Sequence, residues 1–92
     1  MLMHYTYILQ SMLDGSYYVG STGNLKDRLV AHNSRTVQST KAKVPYKIVW
    51  YCAFENKTKS IAFEKYLKTG SGIAFANKHL RETRPFKSPY LH

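Results

Sequence analysis

The segment that decides the fold is HYTYILQSMLDGSYYVG, residues 4–20. Its first part, residues 4–10, is rich in aromatic and β-branched side chains, which favours a β-strand. Asp14 and Gly15 form a dipeptide that is typical of hairpin turns. The chain is then expected to return as a second strand that ends at Gly20, where the backbone turns or a ligand comes close. The segment therefore predicts an antiparallel hairpin.

Side chains alternate between the two faces of a strand, so the first strand has two distinct faces. Tyr5, Tyr7 and Leu9 are predicted to share one face, and Thr6 and Ile8 the other.

A third strand is predicted over residues 46–54, which follow Pro45. One face of this strand is wholly apolar, and we expect it to be the main core face. Its members are Ile48, Trp50, Cys52 and Phe54.

Three helices are expected in the remaining sequence. The first covers residues 24–33 with Asn24 as its N-cap. The second covers residues 57–69 and is stopped by Gly70, and the third covers residues 73–81. The predicted apolar stripes are Leu25 and Leu29, then Ala62, Phe63, Tyr66 and Leu67, then Ile73, Ala76 and Leu80.

The element order β-β-α-β-α-α predicts an α+β fold, a small three-stranded antiparallel sheet flanked by three helices. The chain has 92 residues, enough for a single modest core. We expect one domain over residues 1–84 and an irregular C-terminal tail over residues 85–92. Residues 34–45 are polar and basic, and they predict a loop.

The charge balance points to a polyanionic partner. Lys and Arg number 14 against 5 Asp and Glu, a net charge of +9. Nucleic acid is the first candidate and an anionic membrane surface the second. The single cysteine, Cys52, permits no intramolecular disulfide, and no apolar run is long enough to span a membrane. The N-terminus does not read as a signal peptide, so a cytoplasmic location is expected. The cysteine and the histidines have no zinc-like spacing, and there is no P-loop.

Few side chains are candidates for chemistry, and each also has a structural explanation. Glu64 lies on the rim of an apolar stripe and could face a cleft, or it could be solvated beside Lys68 at i+4. Arg28 and His32 share a helix face that is either a site or simply solvated. Asn77 falls inside the third apolar stripe, where an amide either supports a polar site or is a tolerated boundary residue.

Taken in order, these residues resemble the GIY-YIG nuclease superfamily. The resemblance rests on Tyr5-Thr6-Tyr7, on Tyr18-Val19-Gly20 after the hairpin turn, and on the later polar residues. It covers roughly residues 4–80 and is strongest for small stand-alone members and for the nuclease domain of the excision-repair incision subunit, which implies a setting in DNA repair. It implies metal-dependent phosphodiester hydrolysis, more often of DNA than of RNA.

The resemblance also implies a role for each matching residue. Tyr18 is the candidate general base, which requires nearby positive charge, and His32 would titrate near neutrality and assist it. Arg28 would stabilise charge on the phosphoryl oxygens, and Glu64 would hold one Mg²⁺ or Mn²⁺. The remaining catalytic candidates are Tyr7, which positions rather than reacts, and Asn77.

Three departures accompany the resemblance. Tyr5 stands where the family name has glycine, Ser21 stands where the excision-repair relatives carry a lysine, and we expect no attached DNA-binding domain. The chain would then hold nucleic acid with its own surface, and a protein partner that supplies specificity is a further candidate. The candidate contacts are Lys26, Arg35, Lys41, Lys43 and Lys78. A non-catalytic nucleic-acid-binding module and a protein–protein adaptor are the alternative hypotheses.

Overall fold

Strand β1, His4–Ser11, is the centre of a three-stranded antiparallel sheet with the order β2-β1-β3. The computed structural model describes residues 2–81. The other elements in this range are β2 Tyr17–Thr22, α1 Leu25–Asn33, a short 3₁₀ helix Lys41–Lys43, β3 Tyr46–Phe54, α2 Lys57–Leu67 and α3 Gly70–His79. The predicted fold class and element order are confirmed. The predicted tail over residues 85–92 lies outside the described residues.

The two faces of β1 carry two separate apolar cores. Tyr7 and Leu9 are buried on one face, and Ile8 is buried on the other. Helix α1 covers the first face with Leu25 and Leu29. The second face is covered by α2 and α3. Burial on both faces explains why β1 is apolar at consecutive positions rather than at alternate ones.

A β-bulge in β3 overturns the expectation of one apolar face on that strand. Ile8 pairs with Trp50, but Leu9 pairs with Ile48, so one residue of β3 has no partner at that point. The extra residue reverses the side-chain alternation. Ile48 therefore packs against the α1 core, whereas Trp50 packs against the α2 and α3 core. The principal core comes from β1 instead.

The inner face of α2 is rotated relative to the predicted stripe. Ser60 and Leu67 are fully buried and Phe63 contacts the core, but Ala62 is exposed and Tyr66 is 40% exposed. Packing against the sheet determines which face of α2 is buried, and that face includes the small hydroxyl side chain of Ser60. The buried serine was missed because a polar residue does not mark a core face in an apolar pattern.

Helix α3 begins earlier than predicted. Gly70 is its first residue rather than the stop of α2, and Thr69 is the N-cap, with its hydroxyl accepting from the Gly72 N–H. Gly72 lies so close to α2 that an added Cβ would be 2.7 Å from Leu67 Cα. The inner face contains Gly72 and Ala76, which leaves Ile73 45% exposed, so its predicted place in the core stripe is wrong.

Candidate active site

A buried hydrogen-bonded chain joins β1, α1 and the following loop. The Tyr7 hydroxyl lies 2.9 Å from His32 Nε2, and His32 Nδ1 lies 2.7 Å from Thr40 Oγ1. The Thr40 hydroxyl has the Val37 carbonyl as its acceptor. This network assigns the imidazole proton to Nδ1, so Nε2 accepts the hydrogen bond that the Tyr7 hydroxyl donates.

Arg28 completes this chain at the surface of the protein. Its guanidinium interacts with the hydroxyl groups of Tyr7 and Tyr18, and these two groups, Tyr7 first, raise the pKa of Arg28. Burial raises the pKa of Tyr7 despite the opposing effect of Arg28. Tyr7 therefore remains a protonated phenol, and its oxygen orients the arginine. Tyr18, half-buried on the same face, is the second phenol that Arg28 contacts.

Gly20 leaves the space that the Tyr7 ring occupies. The two residues are partners across the β1–β2 pair, and an added Cβ on Gly20 would be 2.5 Å from Tyr7 Cζ. Strand β2 continues through Gly20 to Thr22, so the expected strand end at this glycine is wrong. The glycine is needed for the close approach of an aromatic ring within the sheet.

His32 does not have the protonation behaviour expected from the sequence. It is fully buried, and burial together with the Arg28 charge lowers its pKa from 6.5 to about 4. Both ring nitrogens already have partners in Tyr7 and Thr40, and its contact with Tyr18 is an edge contact between rings 5.1 Å apart. The expectation of titration near neutrality was wrong because burial of the imidazole depends on tertiary packing, which no local pattern encodes.

Glu64 lies on α2 with its side chain 22% exposed and forms an ion pair with Lys68, Nζ to Oε2 2.8 Å. Its charge contributes to raising the pKa of Tyr7, although burial is the larger cause. The carboxylate is therefore electrostatically coupled to Tyr7 even though α2 and α1 cover different faces. The i+4 pairing with Lys68 that the sequence offered is confirmed, and the placement of Glu64 at a cleft stays a prediction.

A buried hydroxyl cluster fixes α2 against the hairpin one turn before Glu64. Ser60 Oγ lies 2.8 Å from Ser21 Oγ and 3.1 Å from Thr6 Oγ1, and Thr6 also donates to the Ser60 carbonyl. Ser21 thus has a structural partner in Ser60. Sequence reasoning missed Ser60 and Thr40 as supporting residues. The sequence signal for Ser60 was its position four residues, or about one helical turn, before Glu64. No sequence signal marked Thr40 as a supporting residue.

The remaining predicted site residues are dispersed. Asn77 is exposed rather than inside the apolar stripe, and its amide oxygen accepts from Arg81 Nη2. The stripe prediction failed because Ile73, one turn earlier, is also exposed. The predicted nucleic-acid contacts are all exposed, on α1, in the loop before β3 and on α3; they are Lys26, Arg35, Lys41, Lys43 and Lys78. One of them, Lys43, lies 3.3 Å from Asp14 Oδ2.

A comparison of the sequence with known protein families finds a match that covers most of these residues. The family model described as the GIY-YIG catalytic domain matches residues 3–73. The chain belongs to the GIY-YIG family. The match spans the hairpin with Tyr7 and Tyr18, the helix with Arg28, and the helix with Glu64. GIY-YIG domains are nuclease domains, so the family indicates a nuclease-type function acting on nucleic acid with a divalent metal.

The relatives of this GIY-YIG chain are small proteins. A UPF0213 protein of Streptococcus pneumoniae serotype 4 is 33% identical over 88 residues, 95% of this chain and 76% of the relative. A UPF0213 protein of Clostridium perfringens is 40% identical over 67 residues, 72% and 71% of the two chains. The solution structure of a UPF0213 protein from Bacillus halodurans matches with a TM-score of 0.54 and 26% identity, covering 89% of this chain and 90% of the other. None of the helices in residues 2–81 has the length and apolar character needed to cross a membrane.

Proposed function

We propose that this protein is a metal-dependent endonuclease that hydrolyses phosphodiester bonds, with DNA as the preferred substrate. The observation that carries the proposal is the proximity of the Arg28 guanidinium to the hydroxyls of both Tyr7 and Tyr18. A charged donor group held beside a phenol is suited to a reaction in which a proton leaves a nucleophile while negative charge grows on a phosphoryl group. The net charge of +9 supports a polyanionic substrate.

Each residue has a role in the proposed reaction that follows from its environment. Tyr7 is buried and hydrogen-bonded to His32, which favours a positioning role. Tyr18 is the candidate base that accepts a proton from the attacking water. Arg28 lies beside both tyrosine hydroxyls and can direct N–H donors to a phosphoryl oxygen. His32, neutral at physiological pH, orients Tyr7 instead of taking up the proton from Tyr18.

Glu64 fits a divalent metal of the Mg²⁺ or Mn²⁺ type. Such ions prefer oxygen donors and are often held by one or two carboxylates, with phosphate oxygens and waters as the other ligands. Glu64 has a partly exposed carboxylate. A metal ion that binds it would have to displace the Lys68 ammonium from Oε2. Residues 2–81 contain no cluster of three or more metal-ligating side chains, so phosphate oxygens and water would supply the other ligands. A metal bound there would polarise the phosphate.

The test is nicking of supercoiled plasmid at low salt with Mg²⁺ or Mn²⁺. Wild type is compared with Glu64→Ala and with Glu55→Ala, which removes an exposed carboxylate that follows β3. We expect wild type and Glu55→Ala to nick the plasmid only when metal is added, and Glu64→Ala to be inactive while still shifting DNA on a gel. Cleavage that survives Glu64→Ala would contradict the assignment of the metal to this carboxylate.

A second candidate function is a nucleic-acid-binding module without turnover. The Glu64–Lys68 ion pair favours it, because a neutralised carboxylate neither repels phosphate nor requires a metal. In that case neither wild type nor Glu64→Ala would nick any plasmid, while both would give a gel shift that weakens as salt is raised.

A further inference from the structure

A cavity lies beside the candidate active site, between β2 and α3. Its volume is about 340 Å³, within the range of small-molecule pockets. The walls are mostly apolar and come from the hairpin and the two C-terminal helices. Its lining includes Tyr17, Tyr18, Val19, Lys68, Ile73 and Arg81.

The cavity adjoins the candidate site through two of its lining residues. Tyr18, the candidate base, and Lys68, the partner of Glu64, both line it. A strand whose phosphate lies at Tyr18 and Arg28 would therefore bring the adjoining nucleotide to its mouth. Tyr17 and Val19 lie on the opposite face of β2 from Tyr18, as the pairing with β1 shows, so the cavity extends around the edge of the sheet.

Arg81 gives the cavity a polar side. Its guanidinium lies over the Tyr17 ring, 4.3 Å from the ring centroid, and Nη2 is bound to Asn77 and to the Ile73 carbonyl. The Nε atom is buried and has no hydrogen-bond partner among residues 2–81. A buried donor without an acceptor costs free energy, so a turn of the guanidinium that gave Nε an acceptor on a ligand would be favoured.

We propose that this cavity binds the base of an unpaired nucleotide adjoining the scissile phosphate; the inference rests on the proposed nuclease function. A nucleobase has flat apolar faces and ring-edge acceptors, which match the apolar walls and the Arg81 donor. A guanidinium plane held on one aromatic ring can also stack a base. A base within a duplex is stacked on both faces and paired along its edge, so only an unpaired or extruded base can enter. The substrate class is accordingly nucleic acid with an unpaired nucleotide at the cleavage point.

The experiment compares binding of two probes by fluorescence anisotropy, with chelator present so that no cleavage occurs. One probe is a fully paired DNA duplex, and the other is the same duplex with one unpaired nucleotide. Two variants change the cavity: Ile73→Asp places a charge in its wall, and Arg81→Lys keeps the charge but removes the planar group and its Nε donor. Val30→Asp, on a 61% exposed side chain of α1, is the matched control for added negative charge.

We expect wild type and Val30→Asp to bind the unpaired probe about fivefold or more tightly than the duplex, the range expected for stacking one base. Ile73→Asp and Arg81→Lys should lose that preference and keep their duplex affinity, after correction for the charge effect seen in Val30→Asp. Arg81→Lys decides the matter if Ile73→Asp does not fold. A nucleoside monophosphate added at the concentration of the probe should not compete, and full competition would overturn the assignment to a strand.

Two failures are distinguishable. If wild type nicks plasmid but binds both probes equally, or if its preference survives both cavity variants, the base-binding inference is overturned and the nuclease proposal stands. If wild type binds neither probe at low salt, the proposed function is overturned and the inference with it.

Discussion

The hydroxyl of Tyr7 lies 2.9 Å from Nε2 of His32, in a core where neither side chain exposes more than 2% of its surface. This contact joins the central strand to α1. Because the Tyr7 hydroxyl donates its hydrogen bond to His32, its oxygen lone pairs remain available to the Arg28 guanidinium. The His32 imidazole thus affects the candidate site indirectly, because it orients Tyr7, which in turn orients Arg28.

Burial of neutral His32 predicts that folding stability depends on pH. Its pKa is about 4 in the folded protein and 6.5 when unfolded, so the unfolded state binds more protons between these values. The contribution is fully present above pH 6.5 and is lost as the pH falls towards 4, a change of about 3 kcal/mol. Urea unfolding of His32→Gln across this range should show a much flatter pH dependence. His79→Gln, which changes an exposed histidine, should retain the wild-type slope.

The close approach of Gly20 to Tyr7 predicts that Gly20→Ala is destabilising. The new methyl group would overlap the Tyr7 ring, and such overpacking costs about 1–3 kcal/mol. Gly23→Ala is the matched control, since its added carbon would be 3.6 Å from His4 Cε1, an ordinary contact. Thermal unfolding should show a lower midpoint for Gly20→Ala than for Gly23→Ala. Equal midpoints would contradict this explanation of the glycine.

Arg28→Ala is expected to reduce turnover more than substrate affinity. Removal of a donor to a developing oxyanion costs about 10²- to 10³-fold in kcat, because its interaction strengthens as charge grows. Lys26→Ala, on the exposed surface of the same helix, should instead weaken binding and lower the salt dependence by about one unit. Steady-state kinetics on a nicking substrate separate the two effects. Equal losses of kcat and affinity in Arg28→Ala would indicate that it only positions the substrate.

Lys68 is expected to compete with a metal ion for Glu64. Its ammonium lies 2.8 Å from Oε2, so metal binding must displace it. Lys68→Met should tighten Mn²⁺ binding about two- to fivefold, the range for a partly exposed ion pair. Isothermal titration calorimetry without nucleic acid measures this directly. Lys65→Met removes an exposed lysine next to Glu64 in sequence and controls for net charge. An equal gain in both variants would mean that charge, rather than the pair, sets the affinity.

Local rules were sufficient for most elements of the fold. The hairpin turn at Asp14 and Gly15, the N-cap at Asn24 and the alternation along β1 all depend on neighbours within a few residues. Such features are encoded where they occur. The element order and the family resemblance followed from them.

The errors came from features that depend on distant parts of the chain. The bulge that separates Ile48 from Trp50 depends on how β3 pairs with β1. The close contact at Gly72 decides which face of α3 packs against α2. Asn77 is exposed because it lies on another face of the helix. Periodicity defines a stripe on an isolated helix, but the sheet decides which stripe is covered.

The sequence by itself determined the elements, their order and the residue types available for phosphate chemistry, because turns, caps and side-chain alternation are short-range properties. Tertiary structure decided the condition of each group. It buried His32, and this burial together with the neighbouring Arg28 charge keeps the imidazole neutral. It also placed the Arg28 guanidinium beside two tyrosines from different strands. Burial and charge proximity arise between residues far apart in the chain, so no local pattern contains them.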